Sequence, residues 1–378
     1  MKILAAISLI LIAGCTPPEK TTTGDILVGE FGSMTGPEAT FGVSTHNGIL
    51  MAADEINAAG GIRGRKIRIV SEDDQSKPEE AAVAVQKLIS SDQVISVLGE
   101  VASSSSLAAA PICEGSSIPM ITPSSTHPTV TQVGEFIFRM CFIDTYQGPV
   151  MAAYLRKELG IETIALLTDN RSDYSRGLGD AFAETFLALG GRIVARQSFS
   201  KGDSDFRPQL TAIKETHPQA LFVPGYYNDV GQIAIQARDL GITVPLVGGD
   251  GWESPKLLEL GGKSLEGCLY SNHYFVDDPA PAVQTFVQNY ERRHGAKPDS
   301  LAALGYDSMR VLAEAMRRAG SFEPKAIREQ LSRTSDFAGV TGRITLGPDR
   351  NPVGKKLVVL EVKNGALTLK KTLDPVKR

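Results

Sequence analysis

Short apolar runs and stretches of helical spacing alternate along almost the whole chain. DILVGEFG, at about 25–31, is a run of the kind a buried strand uses. It leads into NGILMAADEINAAGG, where Ile49, Ala53 and Ile56 lie near one helical face and Gly60-Gly61 stop the pattern. KIRIVSEDD predicts a second strand. KPEEAAVAVQKLIS predicts a helix with Pro78, Glu79 and Glu80 in its first turn, where a fixed φ and negative charge suit a helix N-terminus. Its apolar face is Ala81, Val85, Leu88 and Ile89. VISVLG and IPMITP are short apolar strands, as expected when both faces of a sheet are covered.

The alternation then starts again. QGPVMAAYLRKELG, SRGLGDAFAETFLALGG, DFRPQLTAIKETH and DVGQIAIQARDLG read as helices, and TIALLTD, RIVARQSF, ALFVPGYY and VPLVGGDGW as strands. Two later helices are expected at about 280–294 and 300–319. The end, GRITLGPDRNPVGKKLVVLEVKNGALTLKK, reads as strands joined by turns. Alternating β and α implies parallel sheets with helices on both faces, and there are enough strands for two such sheets. The fold class is α/β, doubly wound and Rossmann-like. Ligands of open α/β sheets sit beyond the carboxyl ends of the strands. The loops that matter are therefore 29–42, 99–106, 122–128, 168–176, 224–229 and 248–253.

Those loops carry particular chemistry. Ser103 to Ser106 follow a strand and open a helix, where a serine N-cap satisfies one free N–H. The remaining N–H groups and hydroxyls would make an uncharged site for a carboxylate or phosphate, although simple capping explains a serine-rich helix start equally well. TPSSTHP, at 122–128, adds Thr126 and further backbone donors. Asp250, in VGGDGW, is either a turn residue among glycines or a lone carboxylate aimed at a cation. Phe41, Tyr174, Tyr226, Tyr227 and Trp252 also fall on these loops, in a chain only 6% aromatic. They could line a ligand, cap the core or pack between domains.

Composition narrows the function. The chain has 378 residues, 42% hydrophobic and 22% charged, with a formal net charge of −4. That is ordinary for a globular protein of about two domains, and no basic stripe invites nucleic acid. The apolar run Ile3–Ala13 is too short to span a membrane and reads as a secretory signal. It ends in Leu11-Ile12-Ala13-Gly14-Cys15, which resembles a bacterial lipobox. That resemblance implies cleavage before Cys15, lipid on its thiol, and attachment to a membrane outside the cytoplasm. Residues 15–24 have the composition of a flexible tether. The other cysteines, Cys113, Cys141 and Cys268, allow at most one disulfide, and three small buried residues are the alternative. The five histidines are scattered, so no metal or other cofactor is expected. The chain has no GxSxG elbow, no phosphate loop GxxxxGK[ST] and no GxGxxG after the first strand, so an enzyme is not expected.

Seven segments carry a family likeness: GSMTGPEATFG (32–42), ADEINAAGGIRGRKIRIVSEDDQSKPEEAAVAVQKLI (53–89), LGEVASSSS (98–106), ITPSSTHP (121–128), DTYQGP (144–149), PGYYNDVGQ (224–232) and GGDGWESP (248–255). Together they resemble periplasmic solute-binding proteins of the leucine/isoleucine/valine type, which serve ABC transporters. The resemblance implies two α/β domains joined by three crossing segments, with an amino acid in the cleft between them. Domain I would be 25–144 plus 275–336, and domain II 145–274 plus 337–378. Ser103, Ser124 and Thr126 match the carboxylate-binding positions, and Tyr226 and Asp250 those for the α-ammonium. Phe41 matches an aromatic at the side-chain pocket and Tyr174 a tyrosine on the closing domain. Phe41 stands for a tyrosine, Asp250 for a glutamate, and Ala102, beside the ligand, for a disulfide-bonded cysteine whose partner is also missing near Gln75. The resemblance further implies a monomer that delivers its ligand to a permease. A ligand-presenting sensor, or the same fold holding an aromatic amino acid or small carboxylate, are the alternatives.

Overall fold

The computed structural model describes residues 24–374. The expectations for the signal peptide, Cys15 and nearly all of the tether fall outside those residues. β1 (Ile26–Gly32) is followed by α1 (Ala39–Ala58), β2 (Ile67–Asp73), α2 (Pro78–Ser90), β3 (Val97–Leu98), α3 (Ser103–Gly115), β4 (Met120–Thr122), the short α4 (Thr129–Gln132) and β5 (Ile137–Arg139). The five strands are all parallel, in the order β2-β1-β3-β4-β5.

A second sheet repeats this winding. α5 (Asp144–Ala153) runs on as one π turn, Tyr154–Glu158. β6 (Thr163–Asp169), α6 (Asp173–Ala188), β7 (Arg192–Phe199), α7 (Arg207–Glu215), β8 (Ala220–Phe222), α8 (Tyr227–Asp239), β9 (Leu246–Gly248), α9 (Pro255–Gly261) and β10 (Leu269–Asn272) follow. The chain then returns to the first lobe with α10 (Pro281–His294), α11 (Ser300–Ala319), α12 (Pro324–Ser332) and a ribbon of β11 (Phe337–Gly339) and β12 (Gly342–Ile344). Finally β13 (Leu357–Lys363) and β14 (Ala366–Leu373) extend the second sheet as antiparallel strands. Its order, β14-β13-β10-β9-β8-β6-β7, contains β7-β6-β8-β9-β10, the same pattern as in the first sheet.

Several elements differ from the sequence reading. α1 begins at Ala39, two turns before the periodic stretch, because Gly42 lets the helix start lie on the β1 loop. A Cβ there would come within 2.3 Å of the Ser33 carbonyl. Its middle packs on α11 with almost no side chain between the helices: a Cβ on Gly48 would meet the Ala302 carbonyl at 2.0 Å, and one on Gly305 the Thr45 carbonyl at 2.5 Å. β5, α9 and α12 have no counterpart in the expected list, since three to nine residues hold too little periodicity to announce them. The expected break at 336/337 is also displaced. Val340, Ile344 and Leu346 are buried with Ile26, Ile49 and Leu312 in the first-lobe core, so the last crossing lies after Leu346.

This winding places the site. Each sheet reverses its strand order once, between β1 and β3 in the first and between β6 and β8 in the second. The crevice at such a reversal, beyond the carboxyl ends of the strands, is where doubly wound folds hold ligands. Loops from both reversals meet: Ser104, after β3, exchanges hydrogen bonds with Asp173, after β6.

Candidate functional site

On the first lobe, the four serines divide their work. The N-cap of α3 is Ala102, with no side-chain cap, which corrects the expectation of a serine cap. The Glu100 carboxylate takes that place, accepting from the N–H of Ala102 and from that of Ser33 at 3.1 Å. Ser106 is tied inward to Glu100 and to Ser125 Oγ at 2.7 Å. Ser103 is buried, its Oγ accepting from the His127 N–H at 3.2 Å. Ser124 and Thr126 are buried on the loop after β4, and the Thr126 hydroxyl lies near the Asp144 carboxyl without a well-aligned hydrogen bond.

The second lobe contributes a buried carboxylate. Asp250 opens a short 3-10 turn after β9 and is only 6% exposed. Its Oδ1 accepts from Gln147 Nε2 at 2.9 Å and from the Tyr174 hydroxyl at 3.1 Å, while Oδ2 lies 3.0 Å from His273 Nε2. Glycine on either side makes this packing feasible. A Cβ on Gly249 would come within 2.5 Å of the Tyr174 hydroxyl, and one on Gly251 within 2.8 Å of the Gly225 carbonyl. Burial raises the phenols of Tyr174 and Tyr226 well above their ordinary range, so both stay protonated donors.

The two poles are close together. His273 Nε2 lies 3.0 Å from Asp250 and 3.4 Å from Ser124 Oγ, so one imidazole touches both lobes' polar groups. Tyr174 and Tyr226 stack with centroids 5.2 Å apart and 4° between planes. Phe41 meets the edges of Tyr226 and Tyr227 at 5.4 and 5.2 Å. Phe41, Val101, Ala102 and Leu301 from the first lobe join the second-lobe aromatics in one apolar cluster. The lobes are shut across this region. Thr40 Oγ1 meets Ser254 Oγ at 2.9 Å, the Tyr227 hydroxyl donates to the Pro37 carbonyl at 2.8 Å, and Lys201 Nζ lies 2.7 Å from Glu38 Oε2.

Trp252 lies deeper than the other loop aromatics. It is fully buried, its Nε1 donates to the Val223 carbonyl at 2.9 Å, and its ring packs over Gly248 and beside Tyr270. It packs in the core beneath the Asp250 turn. Sequence reasoning passed over Gln147, His273, Glu100 and Leu301. Gln147 lies in the DTYQGP segment that carried part of the likeness, and His273 was weighed only as a metal ligand. Cys113, Cys141 and Cys268 are all free and buried, which settles the open disulfide question for the described residues.

Asp144, at the start of α5, is fully buried, and its N–H donates to the Thr126 carbonyl at 2.9 Å. Burial, and then the charge on Asp250, push its carboxyl up to about 8. The folded state thus keeps a proton that the unfolded chain releases near pH 4. The contribution of Asp144 to stability falls as pH rises from about 4 to about 8, by at most about 1.4 kcal/mol per unit, and levels off above. Asp144→Asn cannot titrate and should escape this slope. Melting temperatures of both proteins from pH 5 to 9 should diverge up to about pH 8; parallel curves would place the Asp144 carboxyl in its ordinary range.

Two like-wound α/β sheets, with polar groups of both lobes meeting beyond the points where the strand order reverses, form the architecture of a bilobed binding protein. The chain belongs to the periplasmic binding protein family, whose pattern it matches over residues 25–366. It is 30% identical to the Leu/Ile/Val-binding protein of Escherichia coli over 329 residues, covering 86% of this chain and 88% of that one. It is similar in structure to a leucine binding protein from Thermotoga maritima, with a TM-score of 0.89 at 38% identity over 93% of this chain and 99% of the other. The branched-chain amino acid transporter substrate binding protein of Streptococcus pneumoniae, solved with isoleucine, gives 0.87 at 32% identity, over 93% of this chain and 99% of the other.

Proposed function

We propose that this protein captures an amino acid, by default leucine, isoleucine or valine, between its lobes and hands it to an ABC permease. The observation that carries the reading is the opposite polarity of the two walls. The first lobe presents neutral donors from Ser103, Ser124 and Thr126, and the second presents the buried carboxylate of Asp250 beside the phenols of Tyr174 and Tyr226. A zwitterion fits with its carboxylate on the first wall and its ammonium on the second, leaving its side chain to Phe41, Val101, Ala102 and Leu301.

Hydrogen bonds to charged groups contribute about 1.5–3 kcal/mol each. Four or five of them, less the cost of ordering the ligand, reach the roughly 8 kcal/mol of a micromolar complex. Because each pole is held by a different lobe, the ligand favours the shut state, and a permease can read closure as occupancy. The reading includes lipid attachment at Cys15 outside the cytoplasm, action as a monomer, no catalytic role, and a two-domain division at about 144, 274 and just beyond 346.

A thermal-shift screen of the twenty amino acids and simple carboxylates tests it. Branched-chain amino acids should raise the melting temperature by mass action, while carboxylates without an ammonium should not. A shift with carboxylates alone would reverse the assignment of the second wall. Ser103→Ala should weaken leucine binding by about 1 kcal/mol, the net worth of an ordinary hydrogen bond, because neighbouring donors remain; calorimetry on that variant checks it.

A further inference from the structure

Arg139, the last residue of β5, is fully buried behind the loop that carries Ser124 and Thr126. Its Nη1 donates to the Ser125 carbonyl at 2.6 Å, and its Nη2 to the carbonyls of His127 at 2.8 Å and Pro128 at 3.4 Å. Among the described residues no carboxylate lies within ion-pair distance of the guanidinium. Three carbonyls therefore satisfy most of its N–H groups without compensating its charge. A buried charge with no anionic partner is costly. Its position is easier to understand where the counter-charge arrives with a ligand.

The peptide geometry points the same way. A trans peptide sets its C=O and N–H on opposite sides. With the Ser125 carbonyl turned onto Arg139, the Thr126 N–H faces away from the guanidinium. The Thr126 hydroxyl, which makes no well-aligned hydrogen bond, belongs to the same turn.

We propose that Arg139 is a positioning residue for the ligand carboxylate: it fixes the 124–126 turn through its carbonyls and holds a positive charge behind the neutral donors. The inference rests on the amino-acid reading of the site and deepens it. A carboxylate would then meet hydroxyl and amide donors directly while sitting in the field of a cation it never touches. Of the acids nearby, Asp349 acts on the guanidinium from beyond ion-pair distance, and Asp144 and Glu100 are buried. Burial and the charge on Asp250 push the Asp144 carboxyl up to about 8, and burial and the charge on Asp74 raise that of Glu100.

Arg139→Met, Arg139→Gln and Arg139→Lys separate the charge from the scaffold. All three lose the two-pronged hold on the turn, so all three should melt at lower temperature. With L-leucine as the probe, calorimetry should show at least a tenfold loss of affinity for the Met and Gln variants, and recovery to within about threefold of wild type for Lys. The Met and Gln variants stand in for each other should one fail to fold. A Lys variant as weak as the neutral ones would reduce Arg139 to a scaffold, and a neutral variant as tight as wild type would leave it no role. Wild-type protein that fails to bind leucine would instead count against the amino-acid reading, and this inference would go with it.

Discussion

Asp250→Ala should weaken leucine binding by about 2–5 kcal/mol, the usual cost of removing one partner of a buried charged contact. The carboxylate is the one acidic group on its wall that is held by three side-chain partners, Gln147, Tyr174 and His273. Removing it leaves the ligand ammonium without an anion and leaves those three polar groups to find other partners. The loss should sit mainly in affinity. Asp250→Asn, which keeps the shape and gives up the charge, should lose nearly as much, and calorimetry on both variants reads the effect. Unchanged affinity in either would remove Asp250 from the ammonium pole.

Trp252→Ala should cost about 3–5 kcal/mol of stability, the range for deleting a large buried aromatic. The indole fills space that Gly248 leaves open, so truncation leaves a cavity and removes one of the two donors to the Val223 carbonyl, the other being the Gly225 N–H at 2.9 Å. Urea unfolding followed by circular dichroism measures this. A variant with an unchanged midpoint but lost affinity would return Trp252 to the wall of the cleft.

Much of this was legible in the sequence. The β/α alternation announced two parallel sheets because strands covered on both faces must be apolar, as VISVLG and TIALLTD are. The loops after strands could be named before any coordinates were known, and Ser103, Ser124, Thr126, Tyr174, Tyr226 and Asp250 lie on them. What escaped was tertiary. No local pattern says that the indole of Trp252 packs over Gly248 while Asp250, two residues earlier, meets Gln147, Tyr174 and His273. That follows from Gly248 offering the room. Nor could the sequence say that Glu100, two residues before the α3 N-cap, would satisfy the helix start in place of a serine. Arg139 and His273 were invisible for a related reason. Each acts on a loop distant in sequence, Arg139 on 125–128 and His273 on both Ser124 and Asp250.

The shut arrangement also explains why both walls are needed. Contacts such as Lys201 with Glu38 and Ser104 with Asp173 join the lobes directly, and partly exposed pairs of this kind contribute about 0–1 kcal/mol each. On the proposed reading, the ligand adds to the preference for closure by touching both lobes at once. A molecule with only one charged pole would satisfy one wall and leave the other unpaired.

Calorimetry with L-leucine and with 4-methylpentanoate, which is leucine without its amino group, measures that requirement directly. The account predicts that leucine binds with a dissociation constant of about 1 μM or below. It predicts binding of 4-methylpentanoate at least a hundredfold weaker, since Asp250 then faces no cation. Equal affinity for the two would contradict it.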